Sequence, residues 1–178
     1  GRNQEAINEY KETIRLKPIH AEARANLGIS YQALGLYDTA VTELKEALRA
    51  RPEHAESHIS LGVSYGKLGM YEEALAEFKE AIRIQADYFQ AHYNLGLVYG
   101  KLGRDEEAIT EYKKAARIKP DDAETHYGLG TAYFKTGKHQ EAIAEIKDAI
   151  RIKPDYPEAR HALGTAYFKL GKYQEAFA

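Results

Sequence analysis

A leucine–glycine pair recurs every 34 residues along the chain, at Gly28, Gly62, Gly96, Gly130 and Gly164, with a tyrosine three residues further on at Tyr31, Tyr65, Tyr99, Tyr133 and Tyr167. A fixed period of this length confines the chain to an array of small supersecondary units, whatever single-residue propensities suggest. A second glycine ladder runs Gly35, Gly69, Gly103, Gly137 and Gly171, and an alanine ladder runs from Ala6 through Ala40, Ala74, Ala108 and Ala142 to Ala176. Pro18, Pro52, Pro120 and Pro154 close four of the units, and Ala86 holds the corresponding place in another.

Each unit reads as two amphipathic helices. In the third copy Leu95, Tyr99 and Leu102 form one apolar stripe at helical spacing, and Ala108, Tyr112, Ala115 and Ala116 form the second. Alanines on the second stripe allow two helix axes to approach closely. The second glycine ladder falls at the end of every first helix, where a left-handed residue can reverse the chain. One such hairpin cannot cover its own apolar face, so the units must stack into a continuous core. The expected fold class is therefore all-α, a solenoid of stacked antiparallel helix pairs.

Composition narrows the chemistry. The 178 residues contain no cysteine, which excludes disulfides, thiolate metal sites and a cysteine nucleophile. Lys+Arg total 25 against 27 Asp+Glu, so there is no bulk positive field to collect nucleic acid. No apolar run approaches the roughly 18 residues of a membrane span, and the start GRNQEAINEY lacks the apolar core of a signal peptide. No membrane insertion is expected, and the cytoplasm is the default compartment. The chain opens on Gly1 without an initiator methionine, which suggests an excised or processed piece.

The L-G-x-x-Y core, the alanines and the closing proline resemble the tetratricopeptide repeat, a helix-turn-helix unit of 34 residues. The resemblance covers the whole chain as a single array. A lone second helix lies in 1–20, full repeats lie in 21–54, 55–88, 89–122 and 123–156, and a partial repeat lies in 157–178. In place of the tryptophan frequent in the family, four residues before each first glycine, the chain carries Arg24, His58, His92, His126 and Arg160.

The resemblance implies a right-handed superhelix whose first helices line a concave groove. Its N-terminal part would present Ala25, Ile29, Gln32, Ala33, Ile59, Val63, Gly66 and Lys67, a mainly aliphatic surface. Towards the C-terminus the same places become Tyr93, Leu97, Gly100, Lys101, Tyr127, Thr131, Phe134, Lys135, His161, Thr165, Phe168 and Lys169. Rigid rings alternating with lysines suit a peptide carrying acidic residues or a C-terminal carboxylate. The lysines also complement helix dipoles opposite Glu22, Glu56, Glu124 and Glu158. Asn26 and Asn94 match an asparagine that grips peptide backbone in some superhelical members. The carboxylate clamp of chaperone-binding members is missing, because its lysine place holds Ala25, Ile59, Tyr93, Tyr127 or His161.

Catalytic parts are absent from the sequence: there is no G-x-S-x-G elbow, phosphate loop or H-E-x-x-H. His54 and His58 are a helical turn apart in number, but His54 falls in a connection and no third ligand is placed, so no metal and no cofactor are expected. His58, His92 and His126 read as half-buried rings, and Glu73 and Glu77 near Lys79 and Glu80 read as a solvated face. The expected function is a non-catalytic scaffold for a protein or peptide partner. Two alternatives are a structural module that self-assembles into homo-oligomers through its terminal helices, and the recognition domain of a larger enzyme.

Overall fold

The computed structural model describes residues 2–172, and within them the chain is helical throughout, with no strand. The expected part-helix after 172, with Ala176, lies outside the described residues. First helices are α2 (Ala21–Ala33), α4 (Ala55–Lys67), α6 (Phe89–Lys101), α8 (Ala123–Lys135) and α10 (Pro157–Lys169). Second helices are α1 (Arg2–Leu16), α3 (Tyr37–Ala50), α5 (Tyr71–Ile84), α7 (Asp105–Ile118) and α9 (His139–Ile152). None is long and apolar enough to cross a membrane. The chain divides into two compact units, one ending at Ala91 and the other beginning at His92.

The two glycine ladders have different jobs. Those of the second ladder are the positive-φ residues, from +70° at Gly171 to +78° at Gly137. At each, the next residue donates to the tyrosine carbonyl five places back, as in Leu36 N to Tyr31 O at 3.0 Å and Lys138 N to Tyr133 O at 2.9 Å. This left-handed cap satisfies the loose carbonyls of the first helix and turns the chain directly into the second. First-ladder glycines instead make room. A Cβ on Gly28, Gly62, Gly96 or Gly130 would lie 2.6–2.7 Å from the side chain sixteen residues on: Leu44, Phe78, Tyr112 or Ile146.

Leu27 and Leu61 in the first unit, and Leu95 and Leu129 in the second, are buried together with the fully enclosed alanines Ala40, Ala74, Ala108 and Ala142. A second helix also grips the first helix that follows it. Lys11 lies over the Tyr31 ring at 5.8 Å and Lys45 over Tyr65 at 5.5 Å in the first unit, with Lys113 over Tyr133 and Lys147 over Tyr167 in the second. Each such contact is worth about 0.5–1 kcal/mol at an exposed site. Second helices stop two residues before the closing prolines, at Leu16, Ala50, Ile118 and Ile152, as the ban on helical geometry before proline requires.

Candidate functional site

In the second unit α6 and α8 flank a cleft of about 400 Å³. Tyr93, Leu97, Gly100 and Lys101 form the α6 wall, and Tyr127, Gly128, Thr131, Ala132 and Lys135 form the α8 wall. The floor is Ala108 and Tyr112 of α7, and Tyr156, the residue before α10, closes one end. Tyr112 is held there by two missing side chains. A Cβ on Gly96 would lie 2.7 Å from its ring, and a Cβ on Gly128 would lie 2.7 Å from the far end of the same ring.

The aromatic lining is tied together. Tyr93 meets Tyr112 edge to face at 6.1 Å, and Tyr127 meets Tyr156 at 5.1 Å. Tyr93 Oη donates to Glu124 at 3.2 Å, linking α6 to the first turn of α8. Burial, followed by the charge of Glu124, pushes the Tyr93 phenol well above its ordinary value, and burial does the same to Tyr112. Burial and Glu124 also push Tyr156 up to about 12. These phenols are neutral donors at any physiological pH. Lys101 is exposed at the end of α6, while Lys135 at the end of α8 reaches the Gly100 carbonyl and Asp105, each at 3.4 Å. The cleft is thus an apolar slot with phenolic hydroxyls, a carboxylate near the start of α8 and lysines at the ends of both walls.

Of the residues singled out from sequence, Tyr93, Leu97, Lys101, Tyr127, Thr131 and Lys135 come together in this lining. Asn94 sits half-buried on α6 and Asn26 half-buried on α2, neither in the cleft. Phe134 is half-buried, its ring 5.0 Å from that of His139, and lies outside this lining. His161, Thr165, Phe168 and Lys169 lie on α10 outside the lining, with Phe168 58% exposed and the Thr165 hydroxyl donating to the His161 carbonyl.

The expected aliphatic surface of the first unit is corrected at its centre. Ala25 and Ile59 are buried, and Gln32 bridges α2 to α4 through the Ser60 carbonyl at 3.1 Å and the Ser64 hydroxyl at 3.3 Å. Small side chains let those helices close on one another.

Tyr112 and Gly128 were missed as site residues because one reads as core and the other as nothing. The available signal was departure from the repeat. Leu44, Phe78 and Ile146 occupy the place of Tyr112, which only Tyr10 shares as a tyrosine, and Asn26, Ser60, Asn94 and Ala162 occupy that of Gly128.

The histidines do not make the pair that their numbering invites. His54 Nδ1 lies 2.7 Å from Ser57 Oγ, whereas His58 turns to Glu77 at 2.6 Å and the Pro52 carbonyl at 2.8 Å. Glu77 is therefore half-buried against a ring instead of solvated. His126, Glu145 and Asp148 gather within 4.8 Å of one another, but both ring nitrogens face acceptors, Glu145 at 2.7 Å and the Pro120 carbonyl at 2.9 Å. A proton on each nitrogen accounts for that geometry.

Hairpins of this regularity with a side-chain-lined cleft define an all-α helical-repeat protein of the interaction-scaffold class. A family model described as TPR repeat matches residues 67–103, 101–137 and 130–171, and one described as tetratricopeptide repeat matches 1–61. The chain belongs to the tetratricopeptide repeat family, whose members are generally non-catalytic scaffolds. Among solved structures it is similar to MamA, at 30% identity over 83% of this chain and 86% of that one, with a TM-score of 0.79. It is also similar to TTC0263, a thermophilic TPR protein of Thermus thermophilus, at 26% identity over 94% and 92%, with a TM-score of 0.72. YrrB, described as a TPR protein with an unusual peptide-binding site, shares the fold at 21% identity over 94% and 86%, with a TM-score of 0.81. No curated protein matches the chain.

Proposed function

We propose that the chain is a non-catalytic scaffold that binds a peptide segment of a partner protein in the cleft between α6 and α8. The single observation behind this reading is the tyrosine-lined slot of about 400 Å³, which a small α-helical hairpin would otherwise fill with its own side chains. An apolar side chain of the guest lies over Tyr112 between Tyr93 and Tyr127, and the Tyr127 hydroxyl offers a donor to a guest carbonyl. Lys101 selects an acidic side chain or a terminal carboxylate at the other end. His161, Thr165, Phe168 and Lys169 on α10 are assigned to outer contacts of a longer peptide, with Asn94 and Asn26 as lesser candidates and Phe134 as a support for His139.

The test is selection of peptides from a displayed random library on the full chain, followed by affinity measurement by fluorescence polarisation. Tyr93→Ala with Tyr127→Ala is expected to weaken the selected peptide by more than about 2 kcal/mol, as buried aromatic anchors do, while helicity by circular dichroism persists. Lys101→Glu should weaken acidic peptides selectively. Selected peptides whose affinity ignores both changes would remove the cleft from consideration.

A further inference from the structure

The place four residues before each first glycine is polar throughout this chain, and the same kinds of neighbour recur around it. Arg24 donates from Nε to the Pro18 carbonyl at 3.0 Å and from Nη1 to Glu43 at 2.8 Å. Arg160 donates to the Pro154 carbonyl at 3.0 Å. His58 faces the Pro52 carbonyl and Glu77, and His126 faces the Pro120 carbonyl and Glu145. At Arg24, His58 and His126 the carbonyl lies six residues before, in the connection from the preceding helix, and the carboxylate nineteen residues after, on the second helix. His92 repeats the carboxylate half with Glu111 at 2.6 Å.

Two acceptors on opposite sides of one side chain demand two donors. Arginine supplies them at every accessible pH, whereas imidazole supplies them only as the cation, because a neutral ring must turn one lone pair towards an acceptor. We propose that this place is a cation socket that ties the connecting loop to both helices of its hairpin, fixed by arginine in the first repeat and opened or closed by protonation of His58 and His126 in the inner ones.

The groups facing each ring agree. Glu77 and Glu80 of α5 and the Pro52 carbonyl face His58, and Glu145 and Asp148 of α9 and the Pro120 carbonyl face His126. Burial alone pushes both rings down, but the hydrogen bonds and charges of these partners outweigh it and hold both above the ordinary 6.5. A raised folded value means that the socket's contribution is complete below the unfolded value. It is lost as the pH rises through the folded one. The latch therefore loosens as the pH rises through a value above the ordinary 6.5, and in the second unit it does so one residue from Tyr127.

Thermal midpoints of the full chain between about pH 5.5 and about pH 8.5 test this. The wild type is expected to lose stability with rising pH. The His58→Arg/His126→Arg variant, which copies Arg24 into both sockets, should lose at least about 2 °C less over the same range, the other histidines cancelling in the comparison. Glu77→Gln with Glu145→Gln provides a second readout independent of the fit of arginine: the His58 and His126 ring pKa values, followed by NMR, should fall. Parallel melting curves for wild type and arginine variant would overturn the proposal. So would rings that titrate no higher than free histidine and ignore the glutamine changes.

Discussion

The ring of Tyr112 wedged between Gly96 and Gly128 makes the sign of one substitution predictable. Gly96→Ala places a methyl 2.7 Å from both Cδ1 and Cε1 of that ring, against an ordinary carbon–carbon separation of about 3.5–4.0 Å. The ring has to give by about 1 Å, yet its far end already lies where a Cβ on Gly128 would stand, so it cannot swing clear. Overpacking of this kind costs about 1–3 kcal/mol, while glycine to alanine inside a helix gains about 1 kcal/mol in propensity. The net expectation is a loss of about 1 kcal/mol, or roughly 2–4 °C in melting midpoint for a chain of this size. Gly66→Ala is the matched control, because a Cβ there meets nothing within 4 Å, and it should raise stability by about 0.5–1 kcal/mol. In a Tyr112→Ala background the clash disappears, so Gly96→Ala should turn stabilising, with a coupling of about 2 kcal/mol between the two sites. Urea titrations followed by circular dichroism supply all of these values. A Gly96→Ala protein more stable than wild type, or a coupling near zero, would refute the argument.

Gly103→Ala should cost about 1 kcal/mol although nothing crowds the position, because its φ of +71° is left-handed. Melting midpoints check this. Asp122 caps α8 by accepting from Thr125 N at 3.0 Å and Thr125 Oγ1 at 2.7 Å, so Asp122→Ala should lower stability by about 1 kcal/mol at neutral pH. Burial pushes its carboxyl up, but the Thr125 bonds and Lys119 outweigh it and hold the carboxyl below the ordinary 3.8. The cap's contribution is therefore complete above that value and is lost as the pH falls through the depressed one, which an acid titration of wild type and variant would show.

The repeat was legible because the residues that build it act locally. Gly103 turns the chain whatever surrounds it, and Leu95 is buried by the spacing of its own helix. Tyr93 and Tyr127 were legible as groove residues because they differ from Ala25 and Ile59 in bulk. The consequence of that difference was not legible: small side chains close α2 on α4, an outcome that depends on how far two helices can approach. The pairing of His58 with Glu77 was hidden for a related reason. An offset of nineteen residues belongs to no helical period and appears only once two antiparallel helices are laid side by side. Phe134 reads as a groove residue until His139, from the start of the next helix, is placed against it.

The wedged ring has one more consequence. The place of Tyr112 is set by packing against Gly96 and Gly128 when the hairpins form, so the bottom of the slot is a preformed mould. On the proposed reading, binding would restrict only the incoming residue, and two guests that differ by a single methylene would be told apart by fit, with no reshaping of the mould to accommodate the larger.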